Sequence, residues 1–224
     1  MSDSIEANRA VITTSYAAHR ELWARADRYH NEFLLKPDAT LDAVLQNTKD
    51  KIKDYEIAVS PALGKFLHLL LRSIGAKRVL EVGSLGGYSA IWMARALPDS
   101  DGEVVALELD ELHARVIEEN VKTAGLSSKV KVIVGPAYAS LLAMHPSEST
   151  PKFDLVFIDA DKKSNARSST TSDTLGTPRI LRTQLASREG IRALLKYIKD
   201  DAKVEATTVH TVGRRTLMAF FMRF

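Results

Sequence analysis

Cysteine is absent from this chain. No disulfide, thiolate metal site or cysteine nucleophile is open to it, and the lack accords with a reducing compartment. Long apolar runs are absent as well. Nothing approaches the roughly 20 consecutive apolar residues that a membrane-spanning helix needs. The polar start, MSDSIEANRA, lacks the apolar stretch of a secretory signal. These absences lead us to expect a cytoplasmic protein with no membrane partner. An excess of one charge is missing too. The net charge is only +3, and Lys and Arg are spread along the chain, so no nucleic-acid footprint is expected. Neither an internal repeat nor a linker between domains is visible. One domain over 1–224 is the natural reading for a chain of 224 residues.

What is present is periodicity. Residues 4–30 lack Gly and Pro, and Ile5, Val11, Ile12, Tyr16, Leu22 and Trp23 recur at about helical spacing, which predicts a helical arm within 1–50. Pro37-Asp38 opens a second helix, about 39–50. Ser60-Pro61 caps a third, which stops at Gly75. A cofactor-binding core is expected over 51–163. There, strands at 78–83, 102–109, 129–135 and 153–160 alternate with helices at 88–97, 110–125 and 137–145. Apolar strands alternating with helices predict a mostly parallel sheet wound on both faces. The pattern then fails. Residues 164–187 hold only Leu175, Ile180, Leu181 and Leu185 as large apolar residues, and they read as irregular, with no strand. A helix at 187–201 and strands at 203–213 and 216–224 complete the chain.

Ligands of open parallel sheets bind at the carboxyl ends of the strands. The first such end reads EVGSLGGYS, Glu81 to Ser89. Gly83, Gly86 and Gly87 allow a sharp turn and a close ligand approach. The spacing is not G-x-G-x-x-G, and Glu81 would repel a pyrophosphate, which disfavours a nicotinamide dehydrogenase. Glu81 suits a cationic ligand instead, one with an amino group or a sulfonium. Glu108, ending the second strand, suits a ribose diol. The turn Gly135-Pro136-Ala137 suits an adenine face, and Asp159 ends the fourth strand. Any one of these is weak on its own. All four in register point to a ligand containing a nucleoside.

VSPALGKFL, VLEVGSLGGYSAIWMARALP, VVALELDELHARVIEENVKTAGL, VIVGPA and FDLVFIDADK, in this order, resemble the cation-dependent class I O-methyltransferases, the group of caffeoyl-CoA and catechol O-methyltransferases. The resemblance covers roughly residues 50–165 closely. It implies a Rossmann-like methyltransferase sheet preceded by N-terminal helices. It implies S-adenosylmethionine as cofactor, a small phenolic or catechol-like hydroxyl as methyl acceptor, a divalent cation such as Mg²⁺, and a homodimer. By this resemblance Glu81, Gly83, Ser84 and Ser89 hold the methionine part, Val59 contacts its end, Glu108 binds the ribose, and Pro136 and Ala137 border the adenine. Asp159 ligates the cation and borders the cofactor. Lys162 is the general base; by chain position alone it reads as a solvated turn lysine. A hard cation lowers a phenolic pKa, and a lysine beside it can take the proton.

The chain also departs from that family. The family pattern carries another strand after the DADK turn, ending in an Asp-Asn pair that completes the metal site. No Asp-Asn dipeptide occurs here, and Asn165 is the only Asn after Lys162. One interior strand is therefore expected to be lacking. The family commonly ends near DGFLYA, whereas this chain ends TLMAFFMRF. Back-translated and read one base earlier, Leu217–Arg223 encodes that family ending, which points to an altered reading frame near 214–216 and a lost or mistranslated segment over about 166–187. Two functions follow: an O-methyltransferase impaired in this form, or a non-catalytic relative that binds the cofactor or dimerises.

Overall fold

A computed structural model describes residues 22, 25–144, 152–160, 181–183, 204–210 and 217–223. Most of the expected N-terminal arm, the expected helix at 187–201, Lys162 and nearly all of 164–187 lie outside the described residues. Residues 25–34 are helical. No helix among the described residues is long and apolar enough to cross a membrane.

The helices are α1 (Ala39–Lys51), α2 (Pro61–Ser73), α3 (Tyr88–Ala94), α4 (Glu111–Thr123) and α5 (Ala137–Ala143). Their ends follow from local chemistry. The Asp38 carboxylate accepts from Leu41 N–H at 3.0 Å, and the Ser60 hydroxyl accepts from Leu63 N–H at 3.3 Å. Asp110 does the same for α4, accepting from Leu112 and His113 N–H at 2.8 and 3.1 Å. Each cap satisfies N–H groups that have no partner within the helix. Gly75 and Gly125 stop α2 and α4 with φ of +64° and +69°. Helix α3 ends earlier than the sequence suggests. Its last turn tightens, with Ala96 N–H bonding Met93 O and Leu97 N–H bonding Ala94 O, before Pro98 removes the next donor.

The strands are β1 (Arg78–Val82), β2 (Glu103–Glu108), β3 (Val130–Val134), β4 (Leu155–Ile158), β5 (Leu181–Thr183), β6 (Val204–His210) and β7 (Leu217–Arg223). The first five form a sheet in the order β3-β2-β1-β4-β5, parallel throughout. Strands β6 and β7 pair antiparallel, and β7 lies beside β5. Strand residues alternate between two apolar layers. Val79, Val104, Ala106, Leu155 and Phe157 pack with α1 to α4; Leu80, Val82, Val105, Leu107, Val156 and Ile158 pack with Leu141 of α5. Each large side chain removed from water here contributes about 1.5–3 kcal/mol.

The doubly wound, mostly parallel sheet is the one expected from the sequence. The expected loss of an interior strand is corrected. The place beside β4 is filled by β5, with Val156, Phe157 and Ile158 paired to Leu181, Arg182 and Thr183. A strand of three residues is too short to show alternation, and Arg182 breaks its apolar run, so the sequence reading of 164–187 as irregular passed over it.

Candidate cofactor site

After β3 the chain returns to the far side of β1, so the direction of winding reverses between β1 and β4. A crevice opens at such a switch point. Backbone bonds hold the strand ends level there. Gly83 N–H bonds Leu107 O, Gly135 N–H bonds Glu108 O, and Asp159 N–H bonds Val82 O, each at 2.8 Å. The strand-end positions singled out from the sequence are thus brought to one edge.

Glu81 is fully buried, on the sheet face that meets α3. The Ser84 hydroxyl donates to one carboxylate oxygen at 2.6 Å, and the Ser89 hydroxyl donates to the other. Burial pushes the Glu81 carboxyl up strongly. The two hydroxyls pull it down and the charges of Asp159 and Glu108 push it up again, leaving it at about 8 against an ordinary 4.5. A buried carboxyl held between two hydroxyls and near other acids is short of positive charge. An ammonium or sulfonium would supply it.

Glu108 plays a larger part than the sequence reading gave it. One of its oxygens accepts from Ser84 and Leu85 N–H, both at 3.0 Å. The other accepts from Leu109 and Asp110 N–H at 2.9 and 3.1 Å. A carboxylate offers about four acceptor positions, so a ribose diol must share or displace some of these donors. His113 Nδ1 stands 3.7 Å from the same carboxylate.

The glycine turn is shaped by the protein as much as for a ligand. Gly83 and Gly87 take φ of +83° and +78°. A Cβ on Gly83 would sit 2.7 Å from Asp159 O and 2.8 Å from Ala160 Cα, so its missing side chain makes room for the chain leaving β4. A Cβ on Gly86 would collide with the Thr48 hydroxyl. Leu85, between them, has φ +52°, a left-handed conformation costing a non-glycine residue about 1–2 kcal/mol.

The remaining expected residues are placed as follows. Pro136 is exposed at the start of α5, and Ala137, its first residue, packs on the Leu80–Val82–Leu107 layer. Val59 is buried in the apolar layer that includes Leu63 and Leu67. Asp159 and Ala160 are half-buried at the end of β4. Lys162 lies outside the described residues. The sequence reading missed Asn120 and Thr48, which are both buried and anchor the glycine turn. A signal existed: each is a polar residue on the apolar stripe of its helix, Asn120 with Val116, Ile117 and Val121, and Thr48 with Leu41 and Val44. It also missed an apolar rim beside Glu108 and Pro136, where Leu109, Val134 and Tyr138 are exposed.

An open parallel sheet with a glycine turn at its switch point and an acidic end to its second strand defines a Rossmann-like fold of the kind that binds nucleoside-containing ligands. A family model described as O-methyltransferase matches residues 35–171. The chain belongs to this O-methyltransferase family. It is similar to a catechol O-methyltransferase of Mycobacterium tuberculosis, with 36% identity over 203 residues, covering 84% of this chain and 90% of that protein. Among solved structures it resembles an O-methyltransferase from Bacillus cereus in complex with SAH, with a TM-score of 0.81, 35% identity, and coverage of 91% and 98% of the two chains. It also resembles the O-methyltransferase TomG of Streptomyces achromogenes in complex with SAM, with a TM-score of 0.80, 31% identity, and coverage of 90% and 96%.

Proposed function

We propose that this chain binds S-adenosylmethionine at the carboxyl edge of its sheet and transfers the methyl group to a hydroxyl of a small phenolic, catechol-like molecule. The observation that carries the reading is Glu81, fully buried between the Ser84 and Ser89 hydroxyls at the switch point. Ionised, it complements the cationic methionine part. Glu108 faces the ribose, and the rim of Leu109, Val134, Pro136, Ala137 and Tyr138 offers apolar surface to the adenine. In the transfer the acceptor oxygen attacks the methyl carbon and the carbon–sulfur bond breaks. Its electron pair stays on sulfur, and the phenolic proton leaves to a base. Lys162 is assigned that role, as the lysine that stands four positions after Ile158, the last residue of β4, in the sequence. Positioning the two reactants in line supplies much of the rate.

Among the described residues, the donors do not assemble a site for a hard divalent cation. Among the described residues no group of three His, Cys, Asp or Glu side chains could hold a metal, and the sequence has no Asp-Asn pair to add to Asp159. This same observation favours a second reading, a cofactor-binding relative without turnover. Calorimetry with S-adenosylmethionine, followed by mass detection of methylated catechol, separates the two. Binding with methylated product supports the first, binding without product the second, and no binding overturns both.

Two further expectations belong to this reading. A homodimer is supported by the exposed Tyr29 and Phe33, one helical turn apart, and sedimentation tests it. A cytoplasmic location rests on the cysteine-free composition and the lack of long apolar runs, and fractionation tests it.

A further inference from the structure

We propose that Asn120, together with Thr48, is a positioning residue for the cofactor turn: it fixes the backbone of residues 84–87 from behind and so sets the affinity for S-adenosylmethionine without touching it. The inference rests on the reading that this turn binds that cofactor.

The hydrogen bonds permit a full account of every proton. Asn120 Nδ2 has two hydrogens. One goes to Gly86 O at 2.8 Å, the other to Thr48 Oγ1 at 3.0 Å, with Val44 O also within reach of Nδ2 at 3.4 Å. The Thr48 hydroxyl passes its own hydrogen to Val44 O at 2.8 Å. Asn120 Oδ1 accepts from Asn47 Nδ2 at 2.8 Å, and the second Asn47 hydrogen goes to Glu119 Oε2 at 3.1 Å. Glu119 in turn pairs with Lys51. Reversing the Asn120 amide would set its oxygen against Gly86 O, Thr48 Oγ1 and Val44 O, so the network allows one orientation only. Asn120 and Thr48 are 1% and 2% exposed, which leaves water no access to replace either bond.

The consequence falls on the turn. From one side Glu108 takes the N–H groups of Ser84 and Leu85; from the other Asn120 takes the carbonyl of Gly86. The peptides between them are held at both ends, and Leu85 is held in its left-handed conformation. Ser84 also orients Glu81. The clamp from α1 and α4 therefore reaches both carboxylates assigned to the cofactor. Preorganising a turn lowers the entropy that binding must overcome.

The test uses the full chain and the variants Asn120→Ala, Asn120→Asp, Thr48→Val and Thr48→Ser. Leu67→Ala in α2, away from the network, serves as a stability control. S-adenosylmethionine Kd is measured by calorimetry, and amide hydrogen exchange is read on the segment spanning Ser84 and Leu85 in the ligand-free protein. We expect Asn120→Ala and Asn120→Asp to raise Kd about tenfold or more and to speed exchange at the turn, because a buried acceptor loses its donor. Thr48→Val should do so to a smaller degree, and Thr48→Ser, which keeps the hydroxyl, should restore both readouts. Leu67→Ala should lower Tm with Kd and turn exchange unchanged. Wild-type Kd and turn exchange retained in folded Asn120 variants would overturn the inference. Absence of binding to the wild-type chain would overturn the proposed function instead, and the exchange measurement would still decide whether Asn120 holds the turn.

Discussion

The two edges of the parallel sheet handle their acidic residues in opposite ways. At the amino edge acids meet bases. Glu103 pairs with Arg78 at 2.6 Å, Asp101 with Lys77 at 2.7 Å and Asp99 with Lys129 at 2.6 Å. Asp154 accepts from the N–H groups of Lys77 and Arg78 at 2.8 and 3.0 Å, and the Arg78 guanidinium covers the Phe153 ring at 4.3 Å. At the carboxyl edge, among the described residues, no Lys or Arg bridges Glu81 or Glu108. Their hydrogen-bond partners are hydroxyls and backbone N–H groups, with the His113 imidazole 3.7 Å from Glu108. One edge neutralises itself and closes the sheet. The other keeps an acid in a buried place, where ionising it is costly until a cation arrives. That difference separates a supporting edge from a binding edge more clearly than the glycines do.

The comparison is broken most severely by Gly83→Ala. The added Cβ meets Asp159 O and Ala160 Cα below 3.0 Å, in a backbone of φ +83°. We expect a loss of about 3 kcal/mol by denaturant titration. Glu81→Gln comes next. It keeps the shape but removes the charge, so S-adenosylmethionine Kd should rise about 100-fold, a loss of about 2.7 kcal/mol, while the ligand-free protein gains stability. A Kd within threefold of the wild type would show that the buried charge is not what binds the cofactor.

Proton linkage sharpens the same contrast. Folded, ligand-free protein holds the Glu81 proton to about pH 8, and an unfolded glutamate releases it near 4.5. The folded state binds more protons between those values. Its extra stability is complete below pH 4.5 and is lost as pH rises through about 8. Cofactor binding needs the ionised carboxylate, so affinity should increase as ligand-free stability falls, by at most about tenfold per pH unit. Thermal melts and calorimetry across this range should therefore move in opposite directions. The smallest effect belongs to the amino edge. Arg78→Met should cost less than about 1 kcal/mol, as for a partly exposed ion pair, and leave Kd unchanged. A large change in Kd there would dissolve the distinction between the edges.

Much of the frame was legible in the sequence because local chemistry fixes it. Asp38, Ser60 and Asp110 cap helices, Gly75 and Gly125 end them, and apolar runs become strands whose residues alternate between two layers. The strand-end acids followed from the same reading. What escaped depends on partners distant in sequence. Nothing local says that Gly86 makes room for Thr48, that Gly83 makes room for residues 159–160, or that Asn120 reaches Gly86. Glu108 was singled out as a ligand group, but one sequence cannot show that four N–H groups also converge on it. Strand β5 escaped because its place is defined by pairing with β4, not by a pattern of its own.

The close approach of Gly83 to the backbone of Asp159 and Ala160 gives the two turns a single shared clearance. In genetic terms, neither turn varies alone. A bulkier residue at 83 is tolerated only with a shifted β4 exit, and suppressors of such a lesion belong near 159–160 rather than in the glycine turn itself. A change that alters how the chain leaves β4 is transmitted to the turn after β1 without contact with any ligand. A change selected at one of these turns will therefore be shaped, in part, by the other.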